Sequence, residues 1–303
     1  MIEGEEVFFL NRSVQIIKEF CSVSDVDQTN MSGSDFKSDG FDGFIASLES
    51  FPFMSEKRLM VVREWYPTAQ DMKNKALAAY LANPTETTIL LVVNQKTNEQ
   101  LKKLDCVSVV DCSRASDDVI MKYIRSRTNK AKVIISSSVC QTLIDYCQGD
   151  LTRIDMELTK LIDYAASSSE ITEQAVKALV AVDKDYQVYE MVNMIARKNY
   201  SEAYKIISET KTTSEKQMLL SSLYGHFRRM FYCACSKEDN LSVANMLGVK
   251  EYAIKKTREQ LSNFSVKKIK TVLDKLSQAD ADFKSGETTI DSVFDRCIFS
   301  ILT

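Results

Sequence analysis

All three prolines of this 303-residue chain, Pro52, Pro67 and Pro84, lie near its front, and no proline follows Pro84. A proline lacks a backbone N–H and its ring clashes with the preceding turn, so it ends or kinks any helix whose interior it enters. Beyond Pro84 the chain is free to run as long uninterrupted helices. Five of the eight glycines also fall in the first half. The asymmetry predicts a mixed α/β front and an all-helical back.

The front alternates between two periodicities. Residues 12–21 and 41–48 have helical spacing, as do 69–81, with Met72, Leu77 and Leu81 on the apolar side, and the short segment 99–104. Between them, 59–62, 88–93 and 107–110 are runs of Val, Leu and Ile that read as strands. Continuous apolar strands separated by helices indicate a parallel sheet covered on both faces, as in a doubly wound nucleotide-binding-type domain.

From residue 117 the helical beat continues to the end. Val139, Leu143, Ile144 and Cys147 form one face, Gly149 breaks it, and Asp150 or Thr152 can cap the next helix, where Ile154, Leu158, Leu161 and Ile162 recur. Residues 167–170 read as a linker, and Thr172 opens another short helix. The clearest stripe is Val266, Ile269, Val272, Leu276, Ala279 and Phe283, ended by Gly286; the last is Ile290, Val293, Phe294, Cys297 and Ile301. These stripes are helix packing and carry no assigned function.

Hydrophobic residues at 45% and charged residues at 27% are ordinary for a soluble globular protein. The net charge of −3 provides no global footprint for nucleic acid, so DNA contact must be local or supplied by partners. The start lacks the basic and apolar regions of a signal peptide, and no apolar run is long enough to span a bilayer. The eight cysteines form no C-x-x-C pair and the single histidine is His226, a pattern that argues against a zinc site and for reduced, mostly buried thiols in the cytoplasm.

A doubly wound domain raises the question of a phosphate site. A P-loop needs a second glycine and a Lys-Ser/Thr pair, so that backbone N–H groups and an ammonium hold the phosphates. At the equivalent place, residues 4–13, one glycine remains, the lysine is missing, and Glu5 and Glu6 would repel a triphosphate. No Asp-Glu pair follows a strand to hold Mg²⁺; Asp111 stands alone. His226 lies in a helical stretch and has no nucleophile to serve. No cofactor, metal or catalytic residue is expected.

One segment does invite a function. Residues 49–64 read Glu-Ser-Phe-Pro-Phe-Met-Ser-Glu-Lys-Arg-Leu-Met-Val-Val-Arg-Glu. Pro52 pushes Phe51 towards an extended conformation, so the helix before it must stop. Phe53 and Met54 then sit on a short connector beside Glu56, Lys57 and Arg58. The residues alone leave two readings open: the apolar trio caps the local core, or it is a plug for a pocket on a partner.

The same segment resembles one in the delta subunits of the bacterial DNA polymerase III clamp loader, particularly the Gram-positive form. Gly4-Glu5-Glu6 resembles the family's Gly-x-Glu opening, and Gly149-Asp150 with Glu157-Leu158-x-Lys160-Leu161 its lid signature. Val192-x-x-Ile195-x-x-x-Asn199-x-x-x-Ala203 resembles the start of its collar, followed in order by Arg228-Arg229, Leu247-Gly248, Phe264-Ser265 and Lys284-x-Gly286. The resemblance spans essentially the whole chain. It implies an AAA+-like (RecA-type) domain with a parallel sheet and no working P-loop over residues 1–115, an all-α lid over 116–183 and an all-α collar over 184–303. It implies a subunit without chemistry of its own that binds the ring-shaped beta sliding clamp and favours its opening. Phe53 and Met54 would be the anchors, Pro52 the stiffener, Phe51 a neighbour and Lys57 and Arg58 the rim charges. The implied partners are that clamp, the ATPase subunits and delta-prime subunit of a hetero-oligomer, and primed DNA through the assembled complex, with no membrane. The rival readings are a divergent AAA+ ATPase and a helical adaptor unrelated to replication. The family has a longer stretch, including a central strand, before its Gly-x-Glu. The expectation is therefore either a truncated strand built from residues 1–3 or a segment upstream of Met1.

Overall fold

A computed structural model describes residues 1–35, 41–182, 184–286 and 288–302. The chain divides into two compact units, Met1–Val119 and the remainder from Ile120.

In the first unit the apolar runs become the middle of a five-stranded, wholly parallel sheet. Its elements are β1 (Ile2–Glu3), α1 (Val7–Cys21), β2 (Gln28–Ser32), α2 (Asp42–Glu49), β3 (Arg58–Arg63), α3 (Lys75–Ala82), β4 (Thr88–Asn94), α4 (Glu99–Lys102) and β5 (Val110–Asp111). The strand order is β2-β3-β4-β1-β5, with Gln28 opposite Leu59, Leu59 opposite Ile89, and Ile2 between Val93 and Val110. Successive side chains of a strand point to opposite faces. Met60, Val62 and Val92 accordingly pack under Phe44, Leu48, Leu77 and Trp65 on one face. Leu59, Val61, Leu91 and Val93 pack with Leu10 and Val14 of α1 on the other. Both faces are covered, as uninterrupted apolar strands require.

Several local expectations are corrected. Residues 69–74 are not α-helical: Asp71 accepts from the backbone N–H and hydroxyl of Thr68, and the helix begins only after Asn74, whose side chain accepts from Ala76 and Leu77 N–H. The strand expected at 107–110 is confined to Val110–Asp111. The strand β2 was invisible because Gln-Thr-Asn-Met-Ser has no apolar pattern and lies at the sheet edge. Ile2–Glu3 is an inner strand between β4 and β5, not the middle one of the five, and Gly4 follows it directly.

The second unit is mostly helical: α5 (Asp117–Lys130, whose first turn belongs to the first unit), α6 (Ser137–Tyr146), α7 (Leu151–Tyr164), α8 (Glu173–Leu179), α9 (Lys184–Ala196), α10 (Tyr200–Glu209), α11 (Thr213–Cys235), α12 (Asn240–Leu247), α13 (Glu251–Gln260), α14 (Val266–Lys284) and α15 (Ile290–Leu302). Its one departure from an all-helical back, among the described residues, is a parallel pair, β6 (Ile134–Ile135) with β7 (Glu170–Ile171), the second of which starts at the end of what reads from sequence as a linker. Asp150 caps α7 and Thr172 caps α8 through their side chains. Val192 on α9, Leu223 and Phe227 on α11, Ile269 and Leu276 on α14 and Val293 on α15 share one core. Asp183, at the expected 183/184 boundary, and Thr303 lie outside the described residues. Among the described residues no helix is long and apolar enough to cross a membrane.

Candidate protein-docking site

Both parallel strands β2 and β3 begin at the same end of the sheet, Gln28 opposite Leu59, so the segments entering them meet there. The segment entering β3 is the Phe-Pro-Phe-Met turn. Phe51 is 83% exposed, Phe53 84% and Met54 69%, and the reading in which they cap the local core does not hold. Pro52 is half-buried, and Glu56 and Lys57 are exposed. Arg58 is different: its guanidinium donates to the Ser47 carbonyl at the end of α2 (2.9 Å) and to Thr29 Oγ1 on β2 (3.2 Å). It braces the turn from behind, while Lys57 carries the exposed charge.

The segment entering β2 holds the turn in place. Asp27 is 3% exposed, and its carboxylate accepts from three consecutive backbone N–H groups: Phe53 at 2.5 Å, Met54 at 2.8 Å and Ser55 at 2.7 Å. The Phe53 N–H is the largest cause holding this carboxyl down at about 2. Burial opposes it, and the other two amides and the Ser55 hydroxyl reinforce it. Ser24 N–H donates to Ser55 Oγ at 2.8 Å, a second tie between the two segments. Sequence reasoning missed Asp27, because Ser-Asp-Val-Asp-Gln reads as a solvated turn and its donors come from 26 residues away. Phe20, at the last turn of α1, and Val26 are also exposed, at 88% and 65%.

The opposite end of the sheet is where open α/β folds bind ligands, at the carboxyl ends of the strands. Here the loop after β1 is only three residues long, since α1 already starts at Val7, earlier than the spacing indicates. Two of its three amides are committed: Gly4 N–H donates to Asn94 O (3.1 Å) and Glu6 N–H to Cys112 O (3.0 Å). Gly4 has φ +142°, and a Cβ there would lie 2.1 Å from the Cys112 carbonyl, so the loop presses against β5 instead of opening around a phosphate. Buried Glu3 pairs with Lys102, and the buried Asn94 amide bonds both backbone groups of Trp65.

His226, the only histidine, is buried in α11. Gln260 donates to Tyr189 O (2.8 Å), which turns its carbonyl oxygen towards His226 Nε2, also at 2.8 Å. That nitrogen must carry the proton, leaving Nδ1 to accept from Arg229 at 3.5 Å.

Two family models match the chain: one described as DNA polymerase III, delta subunit, over residues 1–113, and one as DNA polymerase III delta subunit, C-terminal domain, over 185–301. The chain is 25% identical to DNA polymerase III subunit delta of Bacillus subtilis (strain 168), over 99% of this chain and 91% of that one. A protein of Aquifex aeolicus (strain VF5), named "Probable DNA polymerase III subunit delta", is 20% identical over 69% of this chain and 63% of its own. Among solved structures, the Bacillus subtilis DNA clamp loader delta protein superposes with a TM-score of 0.71 at 20% identity, covering 99% of this chain and 94% of that one.

Proposed function

Since the chain belongs to the DNA polymerase III delta-subunit family of clamp-loader proteins, we propose that its first unit grips the ring-shaped sliding clamp through the turn between α2 and β3. Phe53 and Met54 are the anchors that enter an apolar pocket on the clamp, Pro52 and Arg58 stiffen the turn, Phe51 widens the contact and Lys57 lies at its rim. The observation that carries this reading is the exposure of two large apolar side chains on a turn whose backbone is fixed. Large apolar groups held out into water on a braced connector favour docking over packing.

The role is mechanical. A subunit that binds the open ring more tightly than the closed one shifts the clamp towards opening. ATP chemistry belongs to neighbouring subunits, because the loop after β1 lacks the lysine and commits its Gly4 and Glu6 amides to backbone carbonyls. The helices from residue 184 onwards form the collar that joins those neighbours and a delta-prime subunit in the cytoplasm, those from about 116 to 183 form the lid, and primed DNA meets the assembled complex.

The test is clamp binding by calorimetry for Phe53→Ala and Met54→Ala. Truncating an anchor in a desolvated pocket costs about 2 kcal/mol or more, or roughly thirtyfold in affinity. Thermal stability is expected to stay near that of the wild type, since neither side chain is in the core. A double variant that binds the clamp as tightly as the wild type removes these residues from the interface.

A further inference from the structure

A carboxylate with only 3% exposure is costly unless its oxygens are satisfied, and those of Asp27 are satisfied by the turn that carries the anchors. Oδ1 takes the amide of Phe53, and Oδ2 takes those of Met54 and Ser55. Three successive N–H vectors converging on one side chain define the backbone from Pro52 to Ser55, and with it the direction in which the two apolar side chains leave the surface. The Ser24–Ser55 bond fixes the other side of the same junction. Between its flanking ordered elements this connector has no ladder partner of its own, so the carboxylate stands in for one.

We propose that Asp27 is the positioning residue of this docking turn: its carboxylate holds the 53–55 backbone in the conformation that presents Phe53 and Met54 together, and clamp affinity depends on it although it is itself buried. The inference rests on the docking role proposed above and adds its structural control. In the free protein the turn is already ordered, so binding does not have to order it. Removing the carboxylate leaves every apolar atom of the anchors in place yet forces the clamp to select the productive turn from a wider set.

Asp27→Asn is the sharper variant because it keeps the shape. Its single carbonyl oxygen can serve one side of the turn, while its NH₂ faces the N–H donors of the other. Asp27→Ala removes both acceptors. The experiment combines clamp binding by calorimetry with amide exchange of the full-length chain for D27N, D27A, the Phe53→Ala/Met54→Ala double variant and the combination of D27N with that double. The expected result is a loss of clamp affinity on the order of tenfold for D27N, with faster exchange at Phe53, Met54 and Ser55 and unchanged protection of Met60–Val62. Because Asp27 acts through the anchors, adding D27N to the double alanine variant is expected to cost nothing further. If D27N binds like the wild type while the double alanine variant is weakened, or if the two losses add in full, the positioning role is wrong and the docking site stands. If the double alanine variant itself binds like the wild type, the docking reading fails and takes this inference with it.

Discussion

At the scale of single residues, the molecule places its polar groups where their protonation is decided by neighbours far away in sequence. His226 is buried, and burial with the adjacent Arg229 charge holds its pKa down at about 3, against 6.5 in the open chain. The unfolded chain therefore takes up a proton that the folded one refuses. The stability this represents is complete above the open-chain value and is lost as pH falls from there towards the folded value. Because there is no other histidine, this window is free of competing imidazoles. Calorimetric midpoints are expected to fall between about pH 7 and about pH 5 in the wild type, and His226→Gln is expected to flatten that part of the profile. A sequence reader can say that His226 sits in a helix and lacks a nucleophile. That it is neutral follows from its burial and the Arg229 charge, while Gln260, held by Tyr189 O, decides which ring nitrogen carries the proton.

At the scale of elements, the second unit is held together by side chains between helices as well as by its apolar core. Asp145 on α6 accepts from Gln141 Nε2 at 2.8 Å and from the Tyr252 hydroxyl, and faces Lys256 Nζ at 3.2 Å; Tyr252 and Lys256 both lie on α13. The side chains of Asp145 and Lys256 are 14% and 15% exposed, so this pair is better shielded than a surface salt bridge. Asp145→Ala removes the acceptor of the Tyr252 hydroxyl and leaves the shielded Lys256 ammonium with only the more exposed Glu259, 3.4 Å away. The expected cost is about 2 kcal/mol, seen as a lower midpoint for the second unit in a denaturant titration. An unchanged midpoint would mean that solvent replaces the carboxylate. The helix α6 is legible from its apolar stripe, but nothing in that stripe says that it faces α13.

At the scale of the whole molecule, the two ends of the first unit's sheet have different fates. The carboxyl end, where a nucleotide would sit in a doubly wound fold, is closed by Gly4 against Cys112, by Glu3 with Lys102 and by Asn94 with Trp65. The amino end carries the exposed turn. The expected outcome is no saturable binding of ATP in a calorimetric titration of the chain, together with retained clamp binding in the same preparation. A stoichiometric ATP complex would show that the loop after β1 opens.

What the residues by themselves determined is the part of this protein that local physics controls. The proline distribution separated a mixed front from a helical back, because a missing N–H acts within one turn of chain. The runs at β3 and β4 announced a sheet buried on both faces, because such strands need no polar side. The turn containing Phe53 and Met54 was legible as a candidate contact, since Pro52 breaks a helix there whatever the rest of the chain does. The tertiary structure alone removed the core-cap reading of that turn, by leaving its aromatic rings outside the core. It also decided the edge strand β2, which has no apolar pattern, and the β6–β7 pair, which is too short to register, and it made Ile2–Glu3 the short strand that was one of two expectations before Gly4. Asp27 belongs with these. Its role is a convergence of three amides from a distant segment, and a buried carboxylate differs from a solvated one only through the donors that folding brings to it.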